Sequence, residues 1–184
     1  LLATLGACGA GNTVGSASAA AAKTSLDPAA AAAQDAAFAT AMFDNRHRGL
    51  QLVGLVAQYG KSSDVVAFAG GLQTSYDAQM SDLAQLLDTW GKPVPHVEAH
   101  SDLGKEIPGL VNAPALAELR SMAPEQFEKR FLTILQAHEK RAASLARTEM
   151  ALGADPQATA YARDVLGQTT DHLTTIAELL RSRS

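Results

Sequence analysis

Two stretches of this sequence match each other without a gap when the chain is shifted by 93 residues. Phe38 then corresponds to Phe131, and Leu52 corresponds to Leu145. The other matches pair Gly49 with Ala142, Ala67-Phe68-Ala69 with Ala160-Tyr161-Ala162, Leu83 with Ile176, and Leu86-Leu87 with Leu179-Leu180. Agreement of so many positions in one register argues against chance similarity and indicates a duplicated supersecondary unit.

Each half contains apolar residues at intervals of three and four, the spacing of one face of a helix. The clearest example runs from Phe127 to Leu152, with His138 inside its apolar stripe. Cap and stop residues predict four helices: about 34–59, 63–89 after the cap Ser62-Ser63-Asp64, 124–152, and 156–181 after the cap Asp155. The sequence therefore predicts an all-α, ferritin-like four-helix bundle made of two helical-hairpin repeats joined by a long crossover.

The same signals divide the chain into segments. Residues 1–33 are small and apolar or rich in Gly, Ser and Ala, and are interpreted as a lipoprotein signal remnant followed by a flexible tether. Residues 34–184 form the bundle, with a first hairpin at 34–90, a crossover at 91–123 and a second hairpin at 124–182. The crossover is rich in proline and is predicted to hold one short helix at about 115–120.

Composition excludes some classes of function. The net charge of −4, without a basic stripe, makes nucleic acid an unsuitable partner. Hydrophobic residues make up 47% of the chain, which is enough for a real core, but no stretch reaches the roughly 20 apolar residues of a membrane-spanning helix. A single cysteine allows neither an internal disulfide nor a thiolate metal cluster.

That cysteine, Cys8, follows Leu5-Gly6-Ala7. Leu-Gly-Ala-Cys resembles the lipobox at which bacterial lipoproteins are cleaved and then acylated on the new N-terminal cysteine. The resemblance implies attachment to a membrane through a lipid on Cys8 and a location outside the cytoplasm, in the bacterial cell envelope or secreted. The alternative is an incidental cysteine in an unstructured N-terminal segment.

Pairing the two halves places polar residues at corresponding core positions: Asn45 with His138, Arg46 with Glu139, Tyr76 with Thr169, and Gln79 with His172. A buried polar group without a hydrogen bond costs roughly 1–3 kcal/mol. Such a layer is therefore expected either to pair internally or to bind a ligand.

The segments Met42-Phe43-Asp44-Asn45-Arg46 and Leu135-Gln136-Ala137-His138-Glu139 resemble the repeated Met-x-x-His-His signature of the secreted bacterial family called domain of unknown function 305. The resemblance extends from about residue 34 to 180 and includes Trp90-Gly91 and Gly153-x-Asp155-Pro156. It implies a ferritin-like bundle located outside the cytoplasm and, in some members, binding of copper or another metal. Of the two His-His pairs only His138 is present here, and the family's Gln-x-x-Glu-x-x-x-Met run on the partner helices is lost.

Two interpretations of the polar layer stay open. His138 and His172 are candidate ligands for copper or zinc, helped by Met42, Asn45 or Glu139. Alternatively, the layer is a hydrogen-bonded network in which both histidines are neutral. Likewise, Arg46 and Glu139 either form a salt bridge across the pseudo-twofold axis or extend into solvent.

A second set of metal-ligating residue types lies in the crossover. His96, Glu98, His100 and Asp102 could bind a divalent ion at the surface. A solvated acidic loop is the favoured interpretation, because prolines flank these residues and no helix orients them. No serine lies on a Gly-x-Ser-x-Gly turn, and no repeated Glu-x-x-His supports a di-iron site. We therefore expect a non-catalytic binding or structural module of the cell envelope with a decayed metal site, or alternatively a copper-binding protein. The sequence does not identify a protein partner.

Overall fold

A computed structural model of the chain describes residues 27–95 and 107–183, and all regular secondary structure in these two ranges is helical. The helices are α1 (Pro28–Gly54), α2 (Val56–Tyr59), α3 (Ser63–Thr89), α4 (Ala113–Ser121), α5 (Pro124–Leu152) and α6 (Pro156–Arg181). The long helices α1, α3, α5 and α6 form the predicted four-helix bundle. None of the described helices is long and apolar enough to cross a membrane.

The first helix begins at Pro28, so the predicted tether at 1–33 is too long by six residues. Pro28 occupies the first helical position, where its missing N–H is not needed and its fixed φ favours a helix. The alanines that follow have the highest helix propensity, and Ala31 is already buried. The helix is interrupted at Leu55, whose N–H bonds to the Leu52 carbonyl, and it resumes as α2.

The cap signals at the other helix ends are confirmed with one exception. Asp155 accepts hydrogen bonds from the N–H groups of Gln157 and Ala158 and so caps α6. Trp90-Gly91 ends α3, where Gly91 has a φ of 63° and the Lys92 N–H bonds back to the Leu87 carbonyl. Ser62 precedes α3 but makes no side-chain cap, because its hydroxyl donates to Glu128 instead.

In the bundle, α1 packs against α3 on one side and α5 on the other, and α6 packs against α5. The helices α3 and α6 form the fourth side of the bundle and pack less closely than the other neighbouring pairs of long helices. The short helix α4, close to its predicted position, lies on α5, and the crossover before it passes so near α5 that a Cβ on Gly109 would be 2.8 Å from the Ala137 carbonyl oxygen. Gly109 also has a φ of 75°, which favours glycine.

The two hairpins hold each other's turns in a reciprocal way. Glu128 on α5 accepts hydrogen bonds from the N–H groups of Lys61 (2.8 Å) and Ser62 (2.6 Å), which lie before α3. Asp35 on α1 accepts hydrogen bonds from the N–H groups of Ala154 (2.9 Å) and Asp155 (3.1 Å), which lie before α6. Each residue of the first group is 93 positions from its counterpart in the second. Reciprocal contacts of this type are produced by a twofold rotation and support the interpretation of two related hairpins.

Candidate functional site

The polar residues singled out in the sequence lie in the middle of the bundle, between two clusters of apolar side chains. One cluster, around Phe127, Phe131 and Leu52, lies on the side of the α2–α3 turn, and the other, around Phe38, Met42 and Leu83, lies on the side of the α5–α6 turn. We call the residues Asn45, Arg46, Tyr76, Gln79, His138, Glu139, Thr169 and His172 the central polar layer. All of them are buried except His172, whose side chain is 18% exposed.

A buried ion pair forms the centre of this layer. Arg46 Nη1 on α1 donates to Glu139 Oε1 on α5 at 3.3 Å, and the two residues are 1% and 0% exposed. The Tyr76 hydroxyl on α3 donates to the same oxygen. The Arg46 guanidinium also lies over the Tyr76 ring, with Cζ 4.7 Å from the ring centroid, a cation–π arrangement. Of the two open interpretations of Arg46 and Glu139, the salt bridge is confirmed.

Electrostatics in this centre favour an ionised carboxylate and a neutral phenol. Burial acts to raise the pKa of Glu139, but Arg46, nearby His172 and His138, and the Tyr76 hydrogen bond together lower it to about 2. Burial and the charge of Glu139 raise the pKa of Tyr76 well above its ordinary value. Arg46 and Glu139 therefore form a pair of opposite charges that neutralise each other away from water.

His138 lies on α5 directly before Glu139 and is fully buried. Burial lowers its pKa to about 4, although the charge of Glu139 opposes the shift, so the imidazole is neutral at pH 7. Its ring centroid is 6.3 Å from that of Tyr76. A Cβ placed on Gly49 would be 2.9 Å from Nε2, so this ring packs against the backbone of α1. Neither ring nitrogen has a hydrogen-bond partner among the described residues.

His172 approaches the same carboxylate from α6. Its Nδ1 is 3.6 Å from Glu139 Oε2, which is within ion-pair range but too long for a hydrogen bond. The ring meets Phe68 edge to face, with centroids 6.1 Å apart. His172 therefore lies beside Glu139 and Phe68, whereas the His138 ring packs against Tyr76 and Gly49.

Two of the remaining predicted ligands, Met42 and Asn45, lie in the described part of the chain. Met42 is buried in the apolar cluster with Phe38 and Leu83. Asn45 is buried in the layer, and neither its amide nitrogen nor its oxygen has a hydrogen-bond partner in the described part of the chain. The loop residues His96, Glu98, His100 and Asp102 lie outside the described residues, as does the predicted lipidation site Cys8.

A polar cluster formed by Ser75, Gln79 and Gln168 links α3 to α6. The sequence did not predict the roles of Ser75 and Gln168. Gln79 Nε2 donates to Ser75 Oγ (3.0 Å) and to Gln168 Oε1 (2.9 Å), and Ser75 Oγ donates to Gln168 Oε1 (3.1 Å). Ser75 and Gln168 are themselves 93 residues apart. The repeat would have revealed this pair, because a contact between corresponding residues lies near the axis that relates the halves.

The family resemblance implies a site for copper or another metal, and the side chains of the central polar layer are its candidate ligands. Within residues 27–95 and 107–183, no group of three His, Cys, Asp or Glu side chains is arranged to hold a metal ion. Glu139 does not fit a ligand role, because its carboxylate already contacts a guanidinium that would repel a bound cation. The imidazoles of His138 and His172 are the only other His, Cys, Asp or Glu side chains in the layer as defined above.

Comparison with known structures supports the fold. The chain is 21% identical to a DUF305 fragment from Deinococcus radiodurans, covering 86% of this chain and 99% of that one with a TM-score of 0.71. A DUF305 protein from Streptomyces coelicolor that is named as secreted has 19% identity, 82% and 92% coverage and a TM-score of 0.72. CopM in its Cu(II)-bound form has 12% identity, 82% and 97% coverage and a TM-score of 0.68.

No curated protein matches the chain in sequence. The sequence profile of the family described as "Domain of unknown function (DUF305)" matches residues 35–180, which span α1 to α6 and include the whole central polar layer. The match covers most of the chain and agrees with the helical fold of the two DUF305 structures. The chain therefore belongs to the DUF305 family.

Proposed function

We propose that this protein is a non-catalytic, extracytoplasmic helical module in which a buried ion pair has replaced the metal site of its family. The observation that carries the proposal is the Arg46–Glu139 contact at 3.3 Å. Arg46 takes the position of a histidine in the family signature, and Glu139 takes another. A cation supplied by the chain itself thus occupies the centre of the layer, and no metal is needed to neutralise the carboxylate.

Support for the location comes from two sources. Leu5-Gly6-Ala7-Cys8 resembles a lipobox, and the Streptomyces coelicolor neighbour is named as secreted. We infer that the module is tethered to a membrane by acylated Cys8, with the helical bundle outside the cytoplasm. Cys8→Ala should then move the full-length protein from the membrane fraction to the soluble fraction. An unchanged distribution would refute the lipid anchor but not the account of the central polar layer.

Copper binding is the second candidate. It is favoured by His138, whose two ring nitrogens lack partners among the described residues, and by His172 at the same level of the bundle. The structural neighbour CopM is known in Cu(I)-bound and Cu(II)-bound forms. In this alternative, His138 and His172 bind the metal, with Met42 or Asn45 completing the site.

Equilibrium dialysis of the protein, purified without a histidine tag, against Cu(I), Cu(II) and Zn(II) separates the two candidates. If the ion pair has replaced the metal site, neither the wild type nor His138→Ala should bind stoichiometric metal. Stoichiometric copper that is lost in His138→Ala and His172→Ala would establish the second candidate. The matched control is His47→Ala, because the half-buried His47 on α1 bonds to Gln51 and is not part of the layer.

A further inference from the structure

The turn between α5 and α6 is held against α1 by two buried acidic side chains. Asp35 on α1 accepts the two turn N–H groups described above, and Glu149 lies near the end of α5; their exposed fractions are 4% and 0%. A Cβ placed on Gly153 would overlap the carboxyl group of Glu149 and be 2.8 Å from Asp35 Oδ1. The two carboxyl groups therefore converge on the same point above the turn.

We propose that Asp35 and Glu149 share one proton in the closed bundle, and that release of this proton loosens the α5–α6 turn from α1. Asp35 uses both oxygens to accept turn N–H groups, and Glu149 Oε2 accepts a hydrogen bond from Gln34 Nε2 at 3.2 Å. Glu149 Oε1 has no hydrogen-bond partner among the described residues. It is therefore the oxygen that would hold the shared proton. Two buried carboxylates this close cannot both stay ionised without repelling each other.

The other charged side chains near the pair are Asp155 and Lys92. Asp155, at the start of α6, adds a third carboxylate, but its oxygens are bonded to α6 N–H groups and to Trp90 Nε1 (3.1 Å). Lys92, just beyond α3, is the cationic side chain of the groove that Asp35 and Asp155 line. Burial and the neighbouring Asp35 and Asp155 carboxyl groups raise the pKa of Glu149 to about 7, although the Gln34 hydrogen bond opposes the shift.

The corresponding turn of the first hairpin lacks this pair. There Glu128 performs the role of Asp35, but it is neutralised by Arg183, whose Nε is 3.0 Å from Glu128 Oε2. The position that corresponds to Glu149 is Val56, which cannot ionise. Asp64 is the second acid near that turn, and Arg183 contacts it as well, at 2.7 Å. Of these two turns, we therefore expect the α5–α6 turn to be the one that responds to pH near neutrality.

The direction of the response follows from proton linkage. An unfolded glutamate ionises near pH 4.5, whereas Glu149 in the folded bundle keeps its proton until about pH 7. The folded state binds more protons between these values, so the closed turn loses stability as the pH rises from about 4.5 to above 7. Below that window Glu149 keeps its proton, so it does not repel Asp35.

Hydrogen exchange of the turn amides in the full chain tests the proposal. We expect the protection factors of the Ala154 and Asp155 N–H groups to fall at least about tenfold between about pH 5.5 and about pH 8.5 in the wild type, since one pKa unit corresponds to a factor of ten. Glu149→Gln, which keeps a neutral hydrogen-bonding group in the same place, should remove most of this fall. The matched control Glu178→Gln, on the exposed face of α6, should retain it.

Protection factors that do not change with pH in the wild type, or that fall equally in Glu149→Gln, would overturn the proposal. A carbon-13 NMR titration of the Glu149 carboxyl group in the wild type serves as a second test that requires no variant. A midpoint near neutrality supports the shared proton, and a midpoint below about 5, the range of an ordinary glutamate, contradicts it.

Discussion

Arg46 and Glu139 occupy corresponding positions in the two halves of the chain, and their side chains meet at 3.3 Å inside the bundle. A residue that contacts its own counterpart lies near the axis that relates the two halves. In a symmetric dimer of identical hairpins that position would pair two arginines or two glutamates. Joining the hairpins in one chain lets the two positions differ, and the opposite charges found here depend on that difference.

The first prediction concerns this ion pair. Arg46→Met leaves Glu139 buried without its counter-ion, and Glu139→Gln leaves Arg46 in the same state, so each should lower the free energy of unfolding by about 3–5 kcal/mol. The double variant should lose clearly less than the sum of the two, because no uncompensated charge is left. Urea unfolding of all four proteins measures the coupling. Additivity within about 0.5 kcal/mol would show that the pair does not interact.

The second prediction uses the depressed pKa of His138, which burial lowers to about 4. Between pH 6.5 and 4 the unfolded chain binds a proton that the folded chain does not, so stability falls as the pH falls, by up to about 3 kcal/mol. His138→Asn places at this position the residue found at its counterpart, Asn45, and should flatten that part of the stability curve. Thermal unfolding at pH 7 and pH 4.5 measures the effect. An equally steep loss in the variant would show that His138 is not responsible.

The third prediction compares two glycines in helices. A Cβ on Gly49 would be 2.7 Å from Tyr76 Cε2 and 2.9 Å from His138 Nε2, so Gly49→Ala should force the rings apart and cost about 1–3 kcal/mol. A Cβ on Gly70 in α3 would meet nothing within 4 Å, so Gly70→Ala should stabilise the protein by up to about 1 kcal/mol. Chemical denaturation of both variants tests the opposite signs, and a stabilising Gly49→Ala would contradict the close packing of the layer.

The fourth prediction concerns the turn before α3. Burial acts to raise the pKa of Glu128, but hydrogen bonds from the Ser62 hydroxyl, the Ser62 and Lys61 N–H groups and Arg183 lower it to about 2. Its stabilising contribution is present above about pH 4.5 and is lost as the pH falls towards 2.

Glu128→Gln should therefore reduce stability at pH 7 by about 2 kcal/mol, the upper range for a lost cap, and should make the remaining stability less sensitive to acid. The control Glu125→Gln changes the same charge at an exposed position of α5 and should have little effect at pH 7. Equal losses in the two variants, measured by thermal unfolding, would mean that net charge and not the turn contact is responsible.

The helices were predictable because their signals are local. Apolar spacing, Asp155 before Pro156 and Trp90-Gly91 each act within one or two turns of a helix. The composition of the alanine run favours a tether, which is why the sequence predicts the start of α1 at about residue 34. The burial of Ala31, which reveals its structural role, depends on packing and not on residue type.

The central polar layer was only partly predictable. Correspondence between the halves identified Arg46, Glu139, His138 and His172, but it left open which of them pair. The roles of Asp35, Glu128 and Glu149 were not predicted. Each is an acidic residue in a helix, which usually indicates a solvent-exposed face. Asp35 and Glu128 become buried acceptors through the turn of the opposite hairpin, and Glu149 does so through Gln34 on α1.

The sequence by itself determined the four long helices and their approximate limits, the correspondence of the two halves and the membership of the chain in its family, because all of these depend on the order and spacing of residues. Only the tertiary structure decided that Glu139 takes its hydrogen bonds and charge partner from α1 and α3, and that Glu149 faces Asp35 and not a cation. The physical reason is that the charge state of a buried group depends on the atoms within a few ångströms of it. Those atoms come from segments more than 60 residues away in the chain.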